Sequence, residues 1–186
     1  MLIFDKWPAA LRYGEFLAKY GSPDHQARWQ QTLSQIQLNP RQRELLQAFR
    51  REMKVLCLAG AWCGDCSGQC PIFERFQEVT PTIQVRYLDR DDHADAQREL
   101  QINGGNRVPV LVFFSEDGFQ VARYGERTLS KYRAMMQAIS GANMPSEIAT
   151  KSESLLDQVV QDWLNEFERA QWILRLSPRL RQVHGD

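Results

Sequence analysis

The sequence has no excess of charge of either sign. Its 186 residues include 23 lysines and arginines and 23 aspartates and glutamates, so the formal net charge is zero. Proteins that bind nucleic acid or anionic membranes through electrostatics carry an excess of basic residues or a strongly basic patch. We therefore expect neither a nucleic acid nor a membrane among the partners of this chain.

Long apolar runs are also lacking. No segment approaches the roughly 18 consecutive apolar residues of a transmembrane helix. The first eight residues do not have the basic start and apolar centre of a secretory signal peptide. These observations predict a soluble protein located in the cytoplasm.

Cysteine is scarce and confined to one short segment. The four cysteines are Cys57, Cys63, Cys66 and Cys70. A secreted scaffold stabilised by disulfides spreads its cysteines along the chain to connect distant loops. Clustered cysteines in a reducing compartment indicate local chemistry instead, which is either redox exchange or metal binding.

What is present is an alternation of strand and helix patterns in the middle of the chain. An apolar run at 55–60 predicts a buried strand, and a helical pattern and an alternating strand pattern at 83–88 follow it. Two further apolar segments flank the turn residues Glu116-Asp117-Gly118 and predict a hairpin. The order β-α-β-α-β-β-α predicts an α/β fold with a central mixed sheet of about four strands flanked by helices.

The spacing and the position of Cys63 and Cys66 favour redox chemistry. The pair lies where the first strand leads into a helix, and a helix N-terminus stabilises a thiolate. A separation of three residues also brings the two sulfurs within reach of each other. A zinc site would require further ligands, for which Cys70 and Cys57 are the candidates, but Cys57 falls inside the predicted buried strand. A Cys-x-x-Cys pair beside a βαβ pattern is typical of a redox site.

Two segments of the chain resemble the thioredoxin family. Ala61-Trp62-Cys63-Gly64-Asp65-Cys66, with Pro71 five residues later, resembles the active-site segment of that family. Arg107-Val108-Pro109-Val110, followed by an apolar strand, resembles the strand that opens with the cis-proline of the family. The resemblance covers about residues 39–140 and implies a thioredoxin-like fold, to which this chain adds helices at both ends.

The resemblance also implies roles for individual residues. Cys63 would be the nucleophile and Cys66 the resolving thiol, with Trp62 flanking the site. Pro109, after a cis peptide bond, would face the disulfide, and Val108 would offer its backbone to a bound substrate strand.

The sequence departs from the family at several positions. Between the cysteines, Gly64 is followed by Asp65 where the family typically has proline, and we expect this carboxylate to repel the thiolate of Cys63 and raise its pKa. Cys57 occupies the position of a buried carboxylate that assists proton transfer in the family. Cys70 is not part of the family motif, and its position is more typical of a small buried side chain than of a third redox thiol.

We expect a thiol–disulfide oxidoreductase that reduces protein disulfides through the Cys63–Cys66 pair, with an upstream reductant as its other partner. It would need no metal and no organic cofactor, because the redox-active disulfide itself carries the electrons. The alternatives are a metal-binding or metallochaperone domain that uses the clustered cysteines, and a non-catalytic interaction module built on the same fold.

The domain organisation follows from these patterns. We expect the apolar stripe through Trp163 and Phe167 to pack on the N-terminal helices around Trp29, or to form a homodimer through the helical extensions. The final residues, from about Pro178, are expected to form a frayed tail. The predicted divisions are an N-terminal helical extension (1–38), a thioredoxin-like domain (39–140), a linker (141–151) and a C-terminal amphipathic helix with its tail (152–186).

Overall fold

The computed structural model describes residues 3–140 and 154–185, so the predicted linker (141–151) lies outside the described residues. None of the helices in these two ranges is long and apolar enough to cross a membrane. A 3-10 helix (Ile3–Ala9) begins the described chain. It is followed by α1 (Tyr13–Tyr20), α2 (Pro23–Gln35), α3 (Pro40–Gln47), β1 (Met53–Ala59), α4 (Gly64–Val79), β2 (Ile83–Asp89), α5 (Ala94–Glu99), β3 (Val110–Phe114), β4 (Gln120–Gly125), α6 (Leu129–Ser140), α7 (Leu155–Leu176) and α8 (Pro178–His184).

The strands form one mixed sheet with the order β2-β1-β3-β4. β1 is parallel to β2, because α4 crosses over between them, and it is antiparallel to β3. β3 and β4 are antiparallel neighbours joined by the turn at Gly118. The predicted α/β fold, a mixed four-stranded sheet flanked by helices with additional helices at both ends, is confirmed.

α4, the helix that begins beside Cys63, lies on one face of this sheet. The register pairs Cys57 with Tyr87 and Val55 with Phe113, and side chains two residues apart on a strand share a face. On that face the sulfur of Cys57 lies 3.9 Å from the sulfur of Cys70, and the Tyr87 hydroxyl donates to the Cys70 carbonyl oxygen at 3.3 Å. Both contacts attach the middle of α4 to the sheet.

The packing of α7 differs from the sequence expectation. The ring contacts of Trp163 and Phe167 are with α4, β3 and β4, through Phe73, Phe76, Phe113 and Tyr124. The rings around Trp29 are those of Tyr13, Phe16 and Tyr87, near the β2 edge of the sheet. The expected packing of the C-terminal stripe around Trp29 is therefore wrong, because α1 and β2 supply that cover. α7 and α2 both pack against α4.

The C-terminal residues form a helix, so the expectation of a frayed tail is wrong. Ser177 caps α8 by accepting from the Leu180 N–H at 3.4 Å, and Pro178 occupies the first turn, where its missing N–H costs nothing. Leu180 is buried, and Arg179 forms an ion pair with Asp117 in the hairpin turn. The cap stabilises the start of this helix, and the buried leucine and the ion pair attach it to the rest of the protein.

Candidate active site

The two motif cysteines differ in their exposure to solvent. Cys63 is the N-cap residue of α4, with extended backbone angles, and it is partly exposed. Its N–H donates to the Gly60 carbonyl at 3.0 Å, and its own carbonyl accepts from the Ser67 N–H at 2.9 Å. Cys66, in the first turn of α4, is completely buried. A molecule that approaches from solvent therefore reaches Cys63 before Cys66.

Each of the two sulfurs has a defined hydrogen-bond partner. The Cys63 thiol donates to the Val108 carbonyl oxygen at 3.7 Å, and the Gly60 N–H donates to the Cys66 sulfur at 3.5 Å. All four cysteines are free thiols in this structure. Within residues 3–140 and 154–185, no cluster of three or more histidine, cysteine or acidic side chains has the arrangement of a metal site.

The thiols of Cys63 and Cys66 titrate as a pair. The hydrogen bond between them raises the pKa of Cys63, and the burial of Cys63 raises it further. Burial also opposes a charge on Cys66, but the hydrogen bonds from Cys63, Cys70 and the Gly60 N–H outweigh it and lower the pKa of Cys66. One proton therefore leaves the pair readily and the second with difficulty.

Two cations hold Asp65 beside the cysteines. Its carboxylate oxygens lie 2.6 Å from Arg127 Nη2 and 2.7 Å from Lys131 Nζ, both from the region where α6 begins. Burial alone would raise the pKa of Asp65, but the hydrogen bonds from Lys131 and Arg127 lower it. The two cations offset the negative charge of Asp65 near Cys63. The expectation from the sequence considered the charge of Asp65 alone, without these cations.

The Trp62 side chain is exposed to solvent next to Cys63. It is 42% exposed, and the Arg90 guanidinium stacks on the ring with 4.5 Å between the guanidinium carbon and the ring centroid. Arg90 also donates to the Asn106 carbonyl at 3.1 Å, which connects the tryptophan to the loop before Val108. A Cβ atom at Gly60 would lie 2.8 Å from the indole, so the ring position requires glycine there.

Val108 and Pro109 lie opposite Cys63, as the hydrogen bond from the thiol to the Val108 carbonyl shows. Their peptide bond is cis, and both residues are buried. A Cβ atom at Gly125 would lie 2.5 Å from the Pro109 carbonyl oxygen, so β4 can end this close to the loop only with glycine. Gly64, by contrast, is exposed, and a side chain there would meet open space.

The sequence analysis missed two buried residues that position the site. The Trp29 indole N–H in α2 donates to the Ala61 carbonyl at 2.9 Å, two residues before Cys63. The Gln69 amide in α4 donates to the Asp65 and Glu126 carbonyls and accepts from the Trp163 indole at 3.1 Å. The position of Trp29 in an apolar stripe indicated only that it belongs to the core. No local pattern distinguishes Gln69 from an exposed polar residue of a helix.

The chain is similar to two curated relatives. It is 25% identical over 134 residues to a probable protein disulfide-isomerase A6 of Medicago sativa, covering 67% of this chain and 36% of that protein. It is 28% identical over 72 residues to thioredoxin-1 of Saccharomyces cerevisiae, covering 39% of this chain and 66% of that protein. The chain thus spans about a third of the first relative and just under two thirds of the second.

A solved structure and a family model extend the comparison to most of the chain. A protein of unknown function from Pseudomonas aeruginosa has the same fold with a TM-score of 0.69 and 19% identity, covering 91% of this chain and 99% of that one. The family model described as thioredoxin matches residues 11–140, which contain the sheet, α4 and the four cysteines. The resemblance seen in the sequence is confirmed, and the chain belongs to the thioredoxin family.

Proposed function

We propose that this protein is a thiol–disulfide oxidoreductase that reduces protein disulfides through Cys63 and Cys66. The observation that carries the proposal is the partly exposed Cys63 at the N-terminus of α4, with Cys66 completely buried in the first turn of the same helix. Membership of the thioredoxin family supports thiol oxidoreductase chemistry at the level of the family.

The reaction uses the shared proton of the cysteine pair. Cys63 passes its proton to Cys66, and the Cys63 thiolate attacks one sulfur of the substrate disulfide and releases the other as a thiolate. Cys66 then loses its proton to the released thiolate and attacks the Cys63 sulfur of the mixed disulfide. The second substrate sulfur leaves as a thiolate and takes a proton from solvent. Two electrons have passed to the substrate, and the Cys63–Cys66 disulfide awaits an upstream reductant.

The surroundings of Cys63 favour a polypeptide substrate. The exposed Trp62 ring offers an apolar surface on one side of the sulfur, and the backbone of Val108 lies on the other. An extended segment of a substrate protein could lie between them, with its disulfide over Cys63 and its backbone hydrogen-bonded at Val108.

Reduction of insulin disulfides tests the proposal. With dithiothreitol as the electron source, the wild-type protein is expected to accelerate the precipitation of reduced insulin chains. Cys63→Ser and Cys66→Ser should each abolish the acceleration, because each removes one sulfur of the cycle. Gln30→Ala, an exposed substitution on α2, serves as a folded control and should retain it. Activity equal to wild type in the Cys63→Ser protein would contradict the proposal.

A further inference from the structure

The four cysteines form a continuous series that runs from the surface into the core. Cys63 is partly exposed, whereas Cys66, Cys70 and Cys57 are completely buried. Cys66 and Cys70 are four residues apart in α4, so their side chains are neighbours on one helix face. The Cys70 sulfur in turn lies 3.9 Å from the Cys57 sulfur on β1.

We propose that Cys57 and Cys70 are a second, buried dithiol that exchanges electrons with the Cys63–Cys66 pair through Cys66. The inference rests on the proposed function of the first pair. One chain would then store four electrons and could reduce two disulfides before it needs its reductant.

The exchange requires no reactant beyond the four cysteines. After the protein has reduced a substrate, the Cys70 thiolate attacks the Cys66 sulfur of the Cys63–Cys66 disulfide and releases Cys63 as a thiolate. The Cys57 thiolate then attacks the Cys70 sulfur of the new bond and releases Cys66. The protons lost by Cys70 and Cys57 go to Cys63 and Cys66. Cys57 and Cys70 are oxidised, and the surface pair is reduced again.

The geometry allows each bond of this sequence. A disulfide has an S–S length of about 2 Å, so the Cys57 and Cys70 sulfurs must approach by a further distance of about 2 Å. Residues four apart in a helix have Cα atoms roughly 6 Å apart, which is within the range of disulfides and permits the transient Cys66–Cys70 bond.

The burial of Cys57 and Cys70 determines the route and the rate of their oxidation. Because both sulfurs are inaccessible to solvent, a dissolved oxidant can reach them only through Cys66. Burial also raises the pKa of Cys57 and of Cys70, so few thiolates are present to start the exchange. The oxidation of Cys57 and Cys70 should therefore form a separate phase that is slower than the oxidation of Cys63 and Cys66.

Thiol counting during oxidation tests the proposal. The fully reduced protein is mixed with excess oxidised glutathione, samples are denatured and alkylated, and mass spectrometry counts and maps the free thiols. The wild-type protein should lose two thiols in a fast phase and the other two in a slower one, with Cys57 and Cys70 linked. Cys57→Ala and Cys70→Ala should each show a single disulfide, and agreement between them guards against one variant failing to fold.

Cys66→Ser provides the test of the route. Its Cys63 should take up glutathione, while Cys57 and Cys70 remain free thiols, because the connecting sulfur is gone. If Cys57 and Cys70 become linked as fast in Cys66→Ser as in the wild type, the exchange through Cys66 is refuted. If the wild-type protein stops after forming Cys63–Cys66, the second dithiol is refuted while the proposed function stands. If the Cys63–Cys66 disulfide itself does not form, the proposed function fails as well.

Discussion

The indole N–H of Trp29 donates a hydrogen bond of 2.9 Å to the carbonyl oxygen of Ala61, which is 32 residues further along the chain. Trp29 is completely buried in α2, and Ala61 lies in the turn that leads to Cys63. The helices before the sheet are therefore part of the support of the active site. Their inclusion in the family match at residues 11–140 agrees with this arrangement.

Replacing Trp29 with phenylalanine should destabilise the protein. The variant keeps an aromatic ring but leaves the Ala61 carbonyl buried without its donor, so we expect the free energy of unfolding to fall by at least about 1–3 kcal/mol. Trp172→Phe is the control, because that indole is exposed and its hydrogen bond to the Glu168 carboxylate lies at the surface. It should change stability by less than about 0.5 kcal/mol. Equal urea midpoints for the two variants would contradict this role of Trp29.

The contact between Gln69 and Trp163 should appear as an energetic coupling between α4 and α7. Gln69→Leu leaves the Trp163 indole N–H without its acceptor, and Trp163→Phe removes that donor. In a double-mutant cycle measured by urea unfolding, Gln69→Leu should therefore cost about 1 kcal/mol less in the Trp163→Phe background. Additive effects would mean that the bond does not hold α7 on the active-site helix.

The charges around Asp65 should tune the ionisation of the cysteine pair. Asp65→Asn removes the negative charge that pairs with Arg127 and Lys131, so we expect the apparent pKa of the first thiol ionisation to fall. Lys131→Met removes a cation and should raise it, each shift being about one unit or less. Alkylation rates measured against pH report both values. Shifts in the same direction in the two variants would contradict this account.

The ion pair between Asp117 and Arg179 should make the attachment of α8 sensitive to acid. Hydrogen bonds from Arg179 and Ser115 lower the pKa of Asp117 to about 2, whereas an unfolded aspartate titrates near about 3.9. The pair therefore stabilises the fold fully above about pH 4, and this contribution is lost as the pH falls through about 2.

An NMR titration of the Asp117 carboxyl carbon tests this attachment. In Arg179→Gln the pKa of Asp117 should rise towards that of an unfolded aspartate. An unchanged pKa in the variant would show that Arg179 does not hold the carboxylate.

The sequence was sufficient to predict the parts of the fold that local patterns encode. Ser22 and Asn39 each precede a proline, which is a local signal for a helix start, and both accept a hydrogen bond from the third residue of the helix. The apolar runs and the alternating pattern at 83–88 predicted the strands, and the position of Cys63 after a buried strand placed it at a helix N-terminus. Each of these signals lies within a few residues of the structure that it predicts.

The contacts that complete the site join distant parts of the chain, and the sequence did not predict them. Lys131 in α6 bonds to Asp65, and Trp163 in α7 bonds to Gln69, because both helices lie beside α4. The periodicity of a helix predicts which of its faces is apolar, but not which element packs against that face. Ser177 followed by Pro178 is a local signal for a helix start, but the residues from about Pro178 were interpreted as a frayed tail.

The most direct test of the central claim is to trap the intermediate of exchange. Cys66→Ser retains the nucleophile but lacks the thiol that resolves the mixed disulfide, so incubation with insulin should yield a stable covalent complex. Mass spectrometry of the non-reduced complex should map the new disulfide to Cys63, and Cys63→Ser/Cys66→Ser should form none. A wild-type protein that reduces no insulin, together with a Cys66→Ser protein that forms no complex through Cys63, would contradict the account.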